Sequence, residues 1–184
     1  MAGPLWVALS YRLPREPSRL RLAVWRRLRR LGAILLHDSL WLLPADAKTR
    51  EAFEWLAEEI EEQGGTALVW EAASFDPAQD ERIVARFRAE ADARYAAIAE
   101  SAEALRRLAG RRLPGRSRLE QARRQLAGLE RALRLESRRD HFRAPGRRAA
   151  GEAIAAAGQA LNRAGRSHPA DSGKLGGKAN AVGH

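Results

Sequence analysis

The sequence predicts an α+β fold, on three observations. Short runs rich in Val, Leu and aromatic residues alternate with amphipathic stretches over residues 1–75. Their order reads β-α-β-β-α-β, and everything after Asp76 carries helical periodicity alone. The expected architecture is a ferredoxin-like β-α-β-β-α-β core, an antiparallel four-stranded sheet with two helices on one face, followed by a helical hairpin or three-helix extension. The domain division expected is 1–75 for the core, 76–164 for the helical extension packed on or beside it, and a disordered tail over 165–184.

Trp6 to Leu13, WVALSYRL, reads as the first strand, closed by Pro14 and Pro17. Ser18 then stands at an N-cap position, and Leu20, Val24, Leu28 and Leu31 form one helical stripe that Gly32 ends. Residues 33–43 return to strand. Eleven residues is long for one strand, so His37, Asp38 and Ser39 are expected to form a tight turn or bulge between two short ones. That trio has the residue types of a hydrolase, but consecutive side chains of an extended chain point to opposite faces. Asp38 would face away from His37 and Ser39, so the three cannot chain their hydrogen bonds as a triad requires.

Asp46 can cap the second helix, KTREAFEWLAEEIEEQGG, whose Phe53, Leu56 and Ile60 face inward. Gly64 and Gly65 end it, and TALVWEAASF is the last strand. Asp76 and Pro77 open a helix that runs to about Ala109. Val84, Ala91, Ile98 and Leu105 recur every seven residues, with Tyr95, Ala102 and Ala109 offset by four, the pattern of a coiled-coil seam. Past the breaker GRRLPGR, a second heptad pattern appears at Leu119, Ala122, Leu126, Leu129 and Leu133, so two antiparallel helices are expected. A third helix, about Arg147 to Arg163, offers Ile154, Ala157 and Leu161. The last stretch has too little apolar content to order itself. The five tryptophans, Trp6, Trp25, Trp41, Trp55 and Trp70, fall one per element and are expected to pack the core.

Composition narrows the chemistry. The chain of 184 residues has no cysteine, which removes disulfides, thiolate nucleophiles and zinc-thiolate sites together. No apolar run approaches a bilayer span and no export signal is recognisable, so a cytoplasmic protein is expected. The net charge of +10 is segregated: Lys and Arg number 8 against 1 acid in residues 1–35, 6 against 15 in 36–100, and 19 against 7 beyond. A basic front and rear enclosing an acidic middle suit a protein that meets a polyanion with selected surfaces, although an arginine-rich composition alone would also produce the excess. The candidates for nucleic acid are Arg12, Arg15, Arg19, Arg26, Arg27, Arg29 and Arg30, at the end of the first strand and on the first helix. No helix-turn-helix or zinc-finger pattern accompanies them, so phosphate-backbone contact is the expected component.

Several segments resemble the amino-terminal domain of the chromate-resistance regulator family ChrB. They are WVALSYRLPREPSRLRLAVWRRLRRLGAILLHDSLWLLPA, TREAFEWLAEEIEEQGG with TALVW, and SRRDHFRAPGRR. The resemblance covers about Leu5 to Leu161. Members are commonly longer, and the resemblance identifies this chain with their first domain, without a counterpart of the second. It implies a cytoplasmic repressor or sensor of chromate resistance genes that binds double-stranded DNA, with chromate as the inducing anion. The expected effector is thus chromate or another oxyanion, and the expected assembly is a homodimer. The core is also similar to that of the PaaX repressor and, more distantly, to small CRISPR-associated metal nucleases. Those nucleases carry a Tyr-Asp pair after the first strand, whereas Tyr11 here is followed by Arg12, and a guanidinium cannot ligate a cation. No catalytic residue, metal or cofactor is therefore expected.

A tetrahedral dianion such as chromate needs guanidinium donors and free backbone N–H groups at a helix start. SRRDHFRAPGRR supplies Arg138, Arg139, His141, Arg143, Arg147 and Arg148 around a Pro-Gly turn. Sensing fits this cysteine-free chain better than thiol-based reduction. An alternative role is a dimerisation or scaffold module that uses the heptad seam, with Ile98 and Leu126 at its centre.

Overall fold

A computed structural model describes residues 4–16, 18–111 and 116–166. The elements are β1 (Leu5–Arg12), α1 (Ser18–Leu31), β2 (Ile34–His37), β3 (Leu40–Pro44), α2 (Ala47–Glu62), β4 (Thr66–Ala73), α3 (Pro77–Gly110), α4 (Arg116–Arg139) and α5 (Gly146–Arg166). The fold is thus a mixed α+β one, with a four-stranded antiparallel sheet in the order β2-β3-β1-β4 and five helices.

Alternation along β1 sends Val7 and Leu9 to one face and Trp6 and Ala8 to the other, and both faces are covered. On the first, Val7, Leu9, Trp41 and Leu43 pack against Val24 and Leu28 of α1 and Phe53, Leu56 and Ile60 of α2. On the second, Trp6, Ala8, Ile34 and Leu42 meet Ile83 and Phe87 of α3. Trp6 anchors that contact: its indole stacks on Phe87 at 5.8 Å, and its Nε1–H donates to the buried Asp80 at 2.8 Å. A buried carboxyl on the first turn of α3 is tolerable because that indole N–H supplies it with a hydrogen bond.

The HDS segment is both turn and bulge. Asp38 and Ser39 make a two-residue connection between β2 and β3, Asp38 at φ 41°, with a register shift between Leu35 and His37. His37 and Asp38 are exposed. Gly32 ends α1 at φ 77°, and a Cβ there would collide with the Arg139 backbone, so this glycine serves a turn and a close approach together.

The helical extension forms three packed helices. α5 makes the larger contact with α3, and α4 lies against both. Ala150, Ala153, Ala157 and Ala160 give α5 a small-residue stripe that lets it approach closely, Ala150 beside Ala91 and Tyr95 of α3 and the other three beside Ala102, Leu105 and Ala109. The heptad seam of α3 is therefore filled within the chain: Ile98 and Leu126 pack in this cluster. Val84, expected in the same seam, joins the sheet-facing cluster, because the first turns of α3 still lie over the strands. α5 continues through Arg166, two residues into the stretch read as a tail; Pro17, most of the GRRLPGR breaker and residues 167–184 lie outside the described residues.

The tryptophan expectation fails for three of five. Trp6 and Trp41 are buried, but Trp25, Trp55 and Trp70 are 48, 59 and 55% exposed. Trp25 and Trp55 sit next to the inward-facing Val24 and Leu56 and so point outward, while Trp70 lies on sheet surface that α3 does not reach.

Asp46 caps α2 in a reciprocal box: Thr49 N–H donates to its carboxylate at 2.7 Å and its own N–H donates to Thr49 Oγ1 at 2.9 Å. The Thr49 N–H holds the Asp46 carboxyl below its ordinary value of 3.8. The cap's charge-dependent stabilisation is full above that value and is lost as pH falls below it, through the lower value of the folded chain. Asp46→Ala is expected to cost about 1 kcal/mol in a denaturant melt at neutral pH, and less in acid.

Candidate nucleic-acid surface and anion cleft

α1 presents one apolar side to the sheet and one basic side outward. Arg19, Arg26 and Arg30 recur along the outer face, and Arg12 and Arg15 lie at the entry to the helix; all five are exposed and carry no ion pair among the described residues. Arg27 and Arg29 behave differently. Arg27 pairs with Glu59 of α2 at 2.8 Å and Arg29 with Glu90 of α3 at 2.6 Å, so two of the seven candidates tie α1 to its neighbours. Arg29 also lies over the Trp25 ring at 6.0 Å. Arg21, on the same helix, donates to the Pro14 and Arg15 carbonyls and holds the β1–α1 loop.

The second basic segment divides in two. Arg138, Arg143, Arg147 and Arg148 are exposed and line an open cleft of about 720 Å³ between the end of α4 and the start of α5. Arg134 joins them from one helical turn before Arg138, and Arg148 spans to Glu152 at 3.7 Å. Sequence reasoning missed Arg134, although its i, i+4 relation to Arg138 places both on one helix face. Arg143 sits at φ 51°, a left-handed backbone that a non-glycine residue adopts only when its surroundings impose it.

Arg139 and His141 face the other way. Arg139 donates Nη1–H to the Arg29 carbonyl at 3.1 Å, and His141 donates Nε2–H to the Leu31 carbonyl at 2.9 Å. Both carbonyls belong to the last turn of α1, where unpaired acceptors and the negative end of the helix dipole favour such donors. Arg139 is held there by Glu136, a buried carboxylate that also accepts from Arg94 Nε at 2.7 Å; Arg94 in turn reaches Glu90 at 3.5 Å. A chain of alternating charges thus runs from Arg29 of α1 through Glu90 and Arg94 of α3 to Glu136 and Arg139 at the end of α4. Tyr95 extends it, its hydroxyl donating to Asp140 at 3.2 Å; burial pushes that phenol up, so it stays a neutral donor.

The start of α5 differs from the expected open anion site. Gly146 N–H donates to Asp92 at 2.7 Å, and Ala144 N–H donates to Asp140 at 3.0 Å. Carboxylates from the protein already satisfy these donors, so an oxyanion in the cleft would rely on guanidinium groups. Among the described residues, no group of three or more His, Asp and Glu side chains is placed to hold a metal ion.

A comparison with protein families matches residues 21–167 to the family described as Protein ChrB, N-terminal. The chain belongs to the ChrB amino-terminal family. The match takes in most of α1, the rest of the sheet, α2 to α5 and both halves of the SRRDHFRAPGRR segment, while β1 precedes it. ChrB membership points to a role in the regulation of chromate resistance. Searches of the curated proteins and of the solved structures each found no match. No helix among the described residues is long and apolar enough to cross a membrane.

Proposed function

We propose that this ChrB unit is a cytoplasmic DNA-binding regulator in which chromate, taken up by the arginine cleft, changes the set of α1 and thereby its hold on DNA. The observation that carries the reading is the double contact of Arg139 and His141 with the last turn of α1. The same short segment that rims the cleft also terminates the basic helix. The sheet order β2-β3-β1-β4, with its β-α-β-β-α-β chain path, supports reading the core as ferredoxin-like.

Chemically, chromate offers two negative charges and four acceptor oxygens. Arg138, Arg143 and Arg147 meet them from three sides: the end of α4, the linker and the start of α5. Drawing those guanidinium groups together moves the linker, and Arg139 and His141 carry that movement to α1. Their hold is on backbone carbonyls, so α1 responds as a rigid element and its outward arginines shift together. Phosphate contact of this kind sets affinity and is strongly salt dependent.

The test is a salt-titrated binding assay on the DNA upstream of the protein's own operon, with and without chromate. Chromate is expected to weaken binding by about tenfold or more, within the usual range of coupling between sites. Arg143→Ala with Arg147→Ala should remove the chromate response and spare binding without chromate. His141→Ala should retain chromate binding and lose much of the response. Affinity for that DNA no better than for random sequence rejects the regulator; chromate uptake unaffected by the double variant rejects the cleft.

A further inference from the structure

β4 is an edge strand, and among the described residues nothing pairs with its outer side. Natural edges are guarded by charged side chains, lysine above all, by proline, a bulge or short length. β4 carries one charge, Glu71, which is tied to Arg50 of its own chain, and otherwise runs eight residues, TALVWEAA, in unbroken register with β1 from Thr66 to Ala73. Alternate residues of such a strand direct N–H and C=O groups away from the sheet. Its two faces are also unequal. Ala67 and Val69 turn toward the helix-covered core, while Leu68 and Trp70, opposite Ser10 and Ala8, are 59 and 55% exposed on the corner that α3 leaves open.

We infer that β4 is a self-association edge, which pairs antiparallel with β4 of a second copy across a two-fold axis at Val69 to make one continuous eight-stranded sheet. This register is the one that suits the sequence. It sets Leu68 opposite Trp70 of the partner subunit, and Trp70 opposite Leu68 of the partner subunit, on the open face. Antiparallel partners share a face, so both apolar pairs close together around the axis. Glu71 falls opposite Ala67 of the partner subunit, and no like charges meet; within its own chain Glu71 is already paired to Arg50. A second copy is the occupant that fits, because a two-fold strand pair satisfies the main-chain groups of both edges at once. The seam residues of α3 and α4 are engaged within the chain, in one cluster with α5. An interface of one strand pair and four large side chains lies at the small end of stable ones, about 1,200 Å², so a weak dimer whose assembly depends on concentration is expected. The inference stands independently of any DNA or chromate contact.

Sedimentation of the full chain, without DNA or chromate, tests it. The mass should rise from one chain toward two across micromolar concentrations, and Leu68→Lys with Trp70→Lys should hold it at one. Both side chains are exposed, so thermal unfolding of that variant by circular dichroism should remain cooperative. The chain has no cysteine, so Val69→Cys supplies a single thiol on the proposed axis, where oxidation should yield a disulfide-linked pair. A wild type that stays at one chain at all concentrations overturns the inference. So does a double-lysine variant that associates as the wild type does, which would move the contact to another surface.

Discussion

Glu136→Ala is expected to lower the unfolding free energy by about 3 kcal/mol, or roughly 10 °C in melting temperature for a chain of this size. Glu136 is 1% exposed and takes a guanidinium on each side, Arg94 at Oε1 and Arg139 at Oε2. Removing it leaves two cations near each other with only Glu90, which already serves Arg29, to offset them. The loss lies at the lower end for a broken buried pair because the Arg94 and Arg139 side chains are 22 and 18% exposed, and water reaches them. The loss should spread beyond stability. Arg139 held by Glu136 is also the donor to the Arg29 carbonyl, so the variant should loosen the end of α1 and raise amide exchange there. A urea melt showing less than about 1 kcal/mol would mean that the network is effectively solvated, as surface pairs are.

The second large effect concerns the proposed DNA contact. Replacing Arg19, Arg26 and Arg30 together with alanine is expected to reduce the slope of log affinity against log salt by about 2.7, three phosphate contacts at roughly 0.9 each. These side chains are exposed and without ion pairs among the described residues, so each should change stability by no more than about 0.5 kcal/mol. Arg27→Ala and Arg29→Ala serve as the contrast. Their guanidinium groups are engaged by Glu59 and Glu90, so they should alter the slope less and stability more. Equal slopes for the triple variant and the wild type would remove α1 from the DNA contact.

Much of the fold was legible because it follows from local pattern. The inward stripe of α1, the Asp46 cap, the Asp76-Pro77 start of α3 and the turn at Asp38-Ser39 each depend on residues within a few positions of one another. The basic segments were legible as charge, but their division was not. Arg138 and Arg139 are neighbours, yet one opens to the cleft and the other turns to α1, because the helix rotates about 100° per residue and α1 lies on only one side of it. Trp25, Trp55 and Trp70 misled for a related reason: size and apolarity favour burial, but the facing partner decides it. Asp92 was also beyond sequence reasoning, since nothing local to it predicts that Gly146, far along the chain, will bring an N–H to its carboxylate.

The sequence by itself determined the ChrB membership, the order of strands and helices, and the segregation of charge, all of which reside in residue identity and spacing. The tertiary structure decided which arginines face water and which hold the molecule together. It also decided that the heptad seam closes within one chain, that carboxylates occupy the start of α5, and that the segment rimming the cleft grips the end of α1. Several of those outcomes depend on partners more than 50 positions apart in the chain, such as Arg139 with Arg29 and Gly146 with Asp92. Periodicity says which side of a helix is apolar; only packing says what stands opposite the other side.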